Sequence, residues 1–507
     1  MAKRDNTKAA SRTKERRGPV RTASIVKSEK ATAQPQRATR RVDMAGPQRP
    51  HDRVAPEFDP SKSNDRRAQS RKDLPKVVTA KRPATPSANH GQTIPAQPGA
   101  TIARRAADRL RSGHLWVYAS DVLSITPPDA EAAIIPVADQ RGLLLGTALY
   151  SPSSQIALRL VSHEALNQSA WLELLASRLR AAIARRKPML DAGNDACRLC
   201  FSEADELPGL IADKYGDLIV LQFLTKGLLH AVVKETCVRV LSEEILPAAI
   251  LERPDPRIRE LEGLPAPSAD PLWLADPRKP IATIQFHLNG LTFHYDANAG
   301  QKTGAFLDQH SNYAAAREWA RRLLAARPGS GGRALDVCCY QGGFALHLAQ
   351  VFRNVTGIDA SRASLEVAER NLDANRAMLA GGVDWIEADA FEILRDWSQT
   401  RGTRFDMIVL DPPAFAKSKR AVEGALRGYK ELNLRALKML RPGGLLITCS
   451  CSHHVSWADL EGAVASAAGD AGRRVRLLER RGAAPDHPVV LNLPETEYLK
   501  CLVLEAE

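Results

Sequence analysis

Two stretches of this chain, 40 positions apart, carry residue types able to do covalent chemistry. Met407-Ile-Val-Leu410 runs into Asp411-Pro412-Pro413-Ala414-Phe415, and Leu445-Leu-Ile-Thr448 runs into Cys449-Ser450-Cys451-Ser452. The two prolines forbid further ladder hydrogen bonds and leave the Asp411 carboxylate on a stiff extended loop. A cysteine thiolate is a nucleophile that can form a covalent intermediate. Short apolar runs bounded by turn residues and separated by helix-length sequence predict buried parallel strands. Ligands of an open parallel sheet bind beyond the carboxyl ends of its strands, so Asp411 and at least one thiol should face one crevice.

The elements that would position a ligand there come earlier. Residues 333–344, with Asp336, Tyr340, Gly342 and Gly343, read as strand, glycine turn and the start of a helix over 345–351. The two glycines would let the backbone approach a ligand without a Cβ in the way. A second strand, 354–359, ends at Asp359, where a carboxylate can accept both hydroxyls of a ribose. A third, 383–389, ends at Asp389, suited to an adenine amino group. Neither Gly-x-Gly-x-x-Gly nor Gly-Lys-Ser/Thr occurs here, so no phosphate cradle is indicated. An adenosine without pyrophosphate points to S-adenosylmethionine, with Thr303, Tyr340 and Ala390 completing the expected cofactor contacts beside Asp336, Gly342, Gly343, Asp359, Asp389 and Asp411. A nicotinamide-type Rossmann domain fits the first two strands but not the proline pair.

A chain of 507 residues exceeds what one core supports and predicts two to four domains. No apolar run approaches the roughly 18 residues needed to cross a bilayer, and the first residues lead into no apolar segment. A soluble, cytoplasmic protein without membrane contact is the expectation. Eight cysteines in so long a chain are read as thiols in a reducing compartment. Cys197-x-x-Cys200 lacks a second pair at zinc-ligand spacing, so no metal is expected. Of the net charge of +13, residues 1–100 carry 23 Lys+Arg against 9 Asp+Glu, or +14, leaving −1 for the rest. Phe58 is the one aromatic residue in that stretch, which is read as a disordered basic tail. The tail serves either as an electrostatic contact to nucleic acid or as a solubilising extension.

Beyond the tail, residues 101–165 predict a small barrel-like module: a basic helix at 104–111, then short β runs with Gly and Pro turns. Residues 166–298 predict a central α+β domain with a linker. Its elements are helices at 171–186 and 227–241, strands at 218–223 and 248–252, a Pro-rich irregular stretch at 253–280, and a hairpin turning at Asn289-Gly290. Residues 299–507 form the α/β cofactor domain.

Three sets of motifs resemble a known family. Arg109-Leu-Arg-Ser-Gly-His-Leu-Trp-Val-Tyr118, with Gly146-Thr-Ala-Leu-Tyr-Ser-Pro-Ser-Ser-Gln-Ile156, resembles the RNA-binding PUA domain of certain bacterial methyltransferases. Gln301-Lys302-Thr303-Gly304-Ala-Phe-Leu307-Asp308-Gln309 resembles the signature before their catalytic domain. Ser450-Cys451-Ser452, Arg427-Gly-Tyr429-Lys430 and Ala484-Pro-Asp486-His487-Pro488 resemble the PUA-containing 23S ribosomal RNA cytosine-5 methyltransferases. The resemblance spans about residues 102–505. It implies a class I methyltransferase sheet of seven strands with the last inserted antiparallel, S-adenosylmethionine as cofactor, ribosomal RNA (23S) as partner, and Cys451 as nucleophile. Homodimerisation is left open.

Methylating carbon 5 of a pyrimidine needs a thiolate to add at carbon 6, because carbon 5 is not otherwise nucleophilic. Thr448-Cys449-Ser450 resembles the box of other RNA cytosine methyltransferases and would make Cys449 that thiol; Cys451 is preferred, although residues two apart on a strand share a face. Lys417, Lys419 and Arg420 are candidates for lowering the thiol pKa. Asp411 would hydrogen-bond the ring nitrogen as charge develops. The target base would be flipped out or presented unpaired. The rival readings are a guanine-N2 RNA methyltransferase, which needs no thiol, and a non-catalytic RNA-binding assembly factor.

Overall fold

The C-terminal apolar runs assemble into one sheet because the central ones are buried on both faces and so must be covered twice. In the computed structural model the described residues are 99–507, apart from 127–132, 254, 267–269, 280, 282, 297–303, 328, 330, 401 and 403. The tail up to residue 98 and Thr303 thus lie outside the described residues. The sheet comprises β1 (Arg333–Val337), β2 (Asn354–Asp359), β3 (Gly382–Glu387), β4 (Phe405–Leu410), β5 (Leu440–Ser450), β6 (Val475–Arg481) and β7 (Lys500–Ala506). Their order is β3-β2-β1-β4-β5-β7-β6, with β7 antiparallel to both neighbours. Along β4, Met407 and Val409 enter one apolar core while Ile408 and Leu410 enter the other.

Helices cover both faces: α1 (His310–Ala325), α2 (Gly343–Ala349), α3 (Arg362–Asn375), α4 (Ala390–Gln399), α5 (Val422–Met439) and α6 (Trp457–Ala471). The order reverses between β1 and β4, so the carboxyl ends of β1, β2 and β4 open on one crevice.

Upstream, strands from Gly99–Ile102 to Ile156–Ser162 form a six-stranded sheet with the helix Arg104–Arg111. A five-stranded sheet follows, from Ala196–Phe201 to Trp273–Leu274, and then the hairpin Thr283–Leu288/Leu291–Asp296. Asn289 and Gly290 both have positive φ, as a two-residue hairpin turn demands. Two expectations are corrected here. The helix placed at 227–241 runs over Ala231–Ile245, because Lys226–Leu228 forms a separate 3-10 turn. The stretch 253–280 is not irregular throughout: Asp255 caps a helix Pro256–Glu262 that ends at Gly263 with φ +63°, and Trp273–Leu274 adds a strand to the central sheet.

The Asp486-His487 segment ties the central sheet to the C-terminal one. Asp486 Oδ2 accepts from the Arg198 amide at 2.8 Å, and its carbonyl accepts from Arg186 Nη2 at 3.0 Å. Burial opposes ionisation of this carboxyl, but His487 and His310 hold it well below the usual range. Among the described residues no helix is long and apolar enough to cross a membrane.

Candidate active site

A cavity of about 450 Å³ opens at the switch point of the sheet. The turn after β1 forms one wall. Cys338, Tyr340 and Gly342 all adopt positive φ there, which turns successive amides toward β2. Asp359, at the end of β2, fixes that turn: Oδ2 accepts from the Tyr340 amide at 2.9 Å and Oδ1 from the Ser361 amide at 2.8 Å. Asp389 caps α4 by accepting from the Phe391 and Glu392 amides at 2.8 and 3.1 Å. Tyr340, Gly343, Asp359, Asp389 and Ala390 line the cavity, as do Asp411 and Cys451 on the opposite side.

The glycines also meet a packing demand. A Cβ on Gly342 would lie 2.7 Å from Trp385, and one on Gly343 would lie 2.4 Å from the Tyr313 ring. Close packing of protein on protein leaves no room for a side chain at either position.

Asp336 is wholly buried just behind the cavity wall. Its Oδ2 accepts from the Ala345 amide at 2.8 Å, while Oδ1 has no hydrogen-bond partner among the described residues. Burial, then the neighbouring Asp411, push this carboxyl well above the usual range. The native state therefore keeps a proton that the unfolded chain gives up near pH ~3.9. Stability falls as pH rises from there through the folded value, because above it burial of the charge must be met. Asp336→Asn should remove this term, so that its melting temperature without cofactor gains on wild type as pH rises above the ~3.9 of an unfolded carboxyl.

Asp411 follows β4 directly. Its amide donates to Val337 O at 3.2 Å, and its Oδ2 accepts from Gln309 Nε2 at 3.0 Å. The segment ending in Gln309 thus reaches the proline loop, a contact no local pattern announces. Lys417, Lys419 and Arg420, expected to act on the thiol, are all exposed on the loop leading into α5.

The two candidate thiols differ sharply. Cys449 lies inside the β5 ladder opposite Cys501, fully buried, and its pKa is pushed well up by the Cys501 thiol and by burial. Cys451 stands one residue past the strand, partly exposed, in the cavity wall. The expectation that both could face the crevice is thereby corrected. Cys338 and Cys339, read from sequence as packing cysteines, also line the cavity, but burial and nearby Asp359 and Asp336 push both thiols up.

The peptide around Cys451 is held on both sides. Ser450 Oγ donates to the buried Tyr429 hydroxyl at 2.8 Å, and that hydroxyl bonds Ser452 Oγ at 3.1 Å. Ser452 Oγ also accepts from the Ala416 amide at 3.2 Å, which joins this loop to the proline loop. Tyr429→Phe leaves two buried serine hydroxyls short of a partner and should cost about 1–3 kcal/mol in denaturant unfolding. Turnover should fall while cofactor affinity, measured by calorimetry, stays at its wild-type value.

No lysine or arginine lines the cavity among the described residues; its charged groups are Asp308, Asp359, Asp389 and Asp411, set in an otherwise largely apolar wall. Acids without bases suit a cationic nucleoside and oppose a phosphate. Two family models match the chain: a PUA-like domain over residues 100–163 and an S-adenosylmethionine-dependent methyltransferase over residues 257–502. A protein of Tolumonas auensis called ribosomal RNA large subunit methyltransferase I is 35% identical over 395 residues, covering 78% of this chain and 95% of the relative. The chain belongs to this methyltransferase family. A Shewanella amazonensis methyltransferase of the same name is 35% identical over 394 residues, covering 77% of this chain and 94% of its own.

This methyltransferase also shares its fold with the solved structure of SMU.776, a methyltransferase complexed with SAH, at a TM-score of 0.66 and 17% identity over 81% of this chain and all of the other. The cofactor is S-adenosylmethionine, and the acid-lined, base-free cavity fits it. Residues that would hold it are Tyr340, Asp359, Asp389 and Ala390, with Asp336 and Gly342 supporting the turn. Sequence reasoning quoted Gln309 and Tyr429 within motifs without giving them a role and missed Lys500, because their partners lie far away in the chain.

Proposed function

We propose that this methyltransferase forms 5-methylcytosine in ribosomal RNA of the large subunit, with Cys451 as nucleophile and Asp411 at the base. The relatives' shared name supports the RNA class. The observation that carries the cytosine reading is the placement of Cys451, partly exposed in the wall opposite the cofactor-side acids and on the side of the proline pair.

S-adenosylmethionine, when bound, supplies an electrophilic methyl group on a sulfonium. The Cys451 thiolate adds at carbon 6, its electron pair forming the S–C6 bond while the C5=C6 pair moves onto carbon 5 and toward N3. Carbon 5 takes the methyl and then loses its proton to water or a base. The returning pair rebuilds the double bond as the thiolate leaves. Asp411, fixed by Gln309 and the prolines, meets the ring nitrogen where charge accumulates. The N-terminal module and basic tail hold the surrounding RNA, and the base is flipped out to reach the cavity.

Bisulfite sequencing of large-subunit ribosomal RNA from cells with and without the gene tests the proposal. A cytosine protected only when the protein is present is the expected result. Identical protection patterns overturn it.

A further inference from the structure

β7 begins with a buried charge, followed by the apolar, buried run Cys501-Leu-Val-Leu504. Lys500 is 3% exposed and pairs across the sheet with Ser450. Its Nζ donates to the carbonyl of Ser452 at 3.0 Å, placing the ammonium at the residue that follows Cys451. Among the described residues no carboxylate oxygen comes within 4.0 Å of it in an ion pair. Burying a cation without an anionic partner is costly, so this charge is held at the thiol loop against its own hydration.

We propose that Lys500 is a positioning residue for Cys451: it grips the Ser452 carbonyl and supplies the fixed positive charge against which the thiol ionises. This rests on Cys451 being the attacking thiol. Burial lowers the Lys500 pKa, opposed by Glu497 on the preceding turn, Cys451 itself and Asp459 on α6. Other titratable groups around the loop are the Tyr429 hydroxyl on α5, whose pKa is raised by burial, the Asp411 carboxyl, which lines the same cavity as Cys451, and His453, whose ring lies 5.4 Å from that of Tyr498. Lys500 is the buried cation of this set, and Lys417, Lys419 and Arg420 stand out in solvent. A nearby ammonium is a recognised means of lowering a thiol's pKa.

The test is alkylation of Cys451 by iodoacetamide across a pH series, on the full chain without RNA or cofactor, with the site read by peptide mass spectrometry. The wild-type midpoint should lie below the ~8.5 of a free thiol. Lys500→Met should raise the midpoint by about one unit and slow alkylation at neutral pH about ten-fold, while Lys500→Arg keeps the wild-type midpoint. An unchanged midpoint in a Lys500→Met protein that still binds S-adenosylmethionine overturns the proposal. If that variant does not fold, the wild-type midpoint decides: at or above the free-thiol value, the proposal fails. Failure of the nucleophile reading looks different, since Cys451→Ala would then retain methyl transfer while the thiol titration still reports on Lys500.

Discussion

Cys451→Ala is expected to abolish methyl transfer to cytosine-containing RNA, a loss of roughly 10⁴-fold or more in kcat, with cofactor affinity unchanged. The size follows from the chemistry: without a thiolate at carbon 6, carbon 5 has no electron density to offer. Cofactor binding should be spared, because the turn and the acids that line that side are built by β1, β2 and α4. Cys449→Ala is the matched control. It removes a sulfur packed against Cys501 and should cost about 1–2 kcal/mol of stability while transfer continues. RNA carrying 5-fluorocytosine sharpens the contrast, because a carbon–fluorine bond cannot give up a proton and the S–C6 bond persists. A covalent complex resolved on a denaturing gel should form with wild type and Cys449→Ala and be missing with Cys451→Ala. Retention of most activity by Cys451→Ala would redirect the reading toward an exocyclic amine such as guanine N2, which needs no covalent step.

That the two cysteines part company shows where the sequence stops being a guide. Side chains two apart share a face only while the chain remains an extended strand, and β5 stops at Ser450. Cys449 keeps its place in the ladder; Cys451 has left it. The strands themselves were legible because apolar runs such as 405–410 had to be covered on both faces. The insertion of β7 was not, since register between distant strands leaves no local periodicity and came from resemblance alone. The helix Pro256–Glu262 carried legible signals, an Asp cap, Pro at the first position and Gly beyond the end, which the density of prolines around it obscured. Lys500 was visible as a charge at the head of an apolar run, but its meaning depends on a carbonyl 48 residues away. Tyr429 likewise acts through serines that only folding brings to it.

Asp411→Ala should lower kcat by about 10²–10³-fold, and Asp411→Asn by less. When the thiol adds, electron density moves toward the ring nitrogen, so the group facing that atom must donate a hydrogen bond as charge appears. A carboxylate can only accept; the acid form, or an amide in its place, can donate. Orientation comes from a relay: Asn312 Nδ2 donates to Gln309 Oε1 at 2.7 Å, and Gln309 Nε2 donates to Asp411 Oδ2 at 3.0 Å. Gln309→Ala should therefore reduce kcat in the same direction by a smaller factor, through loss of aim. Single-turnover rates at saturating cofactor read these effects on the chemical step. An Asp411→Ala enzyme with an undiminished single-turnover rate would mean that the charge on the base is met elsewhere, and that the proline pair holds this acid for the architecture of the cavity alone.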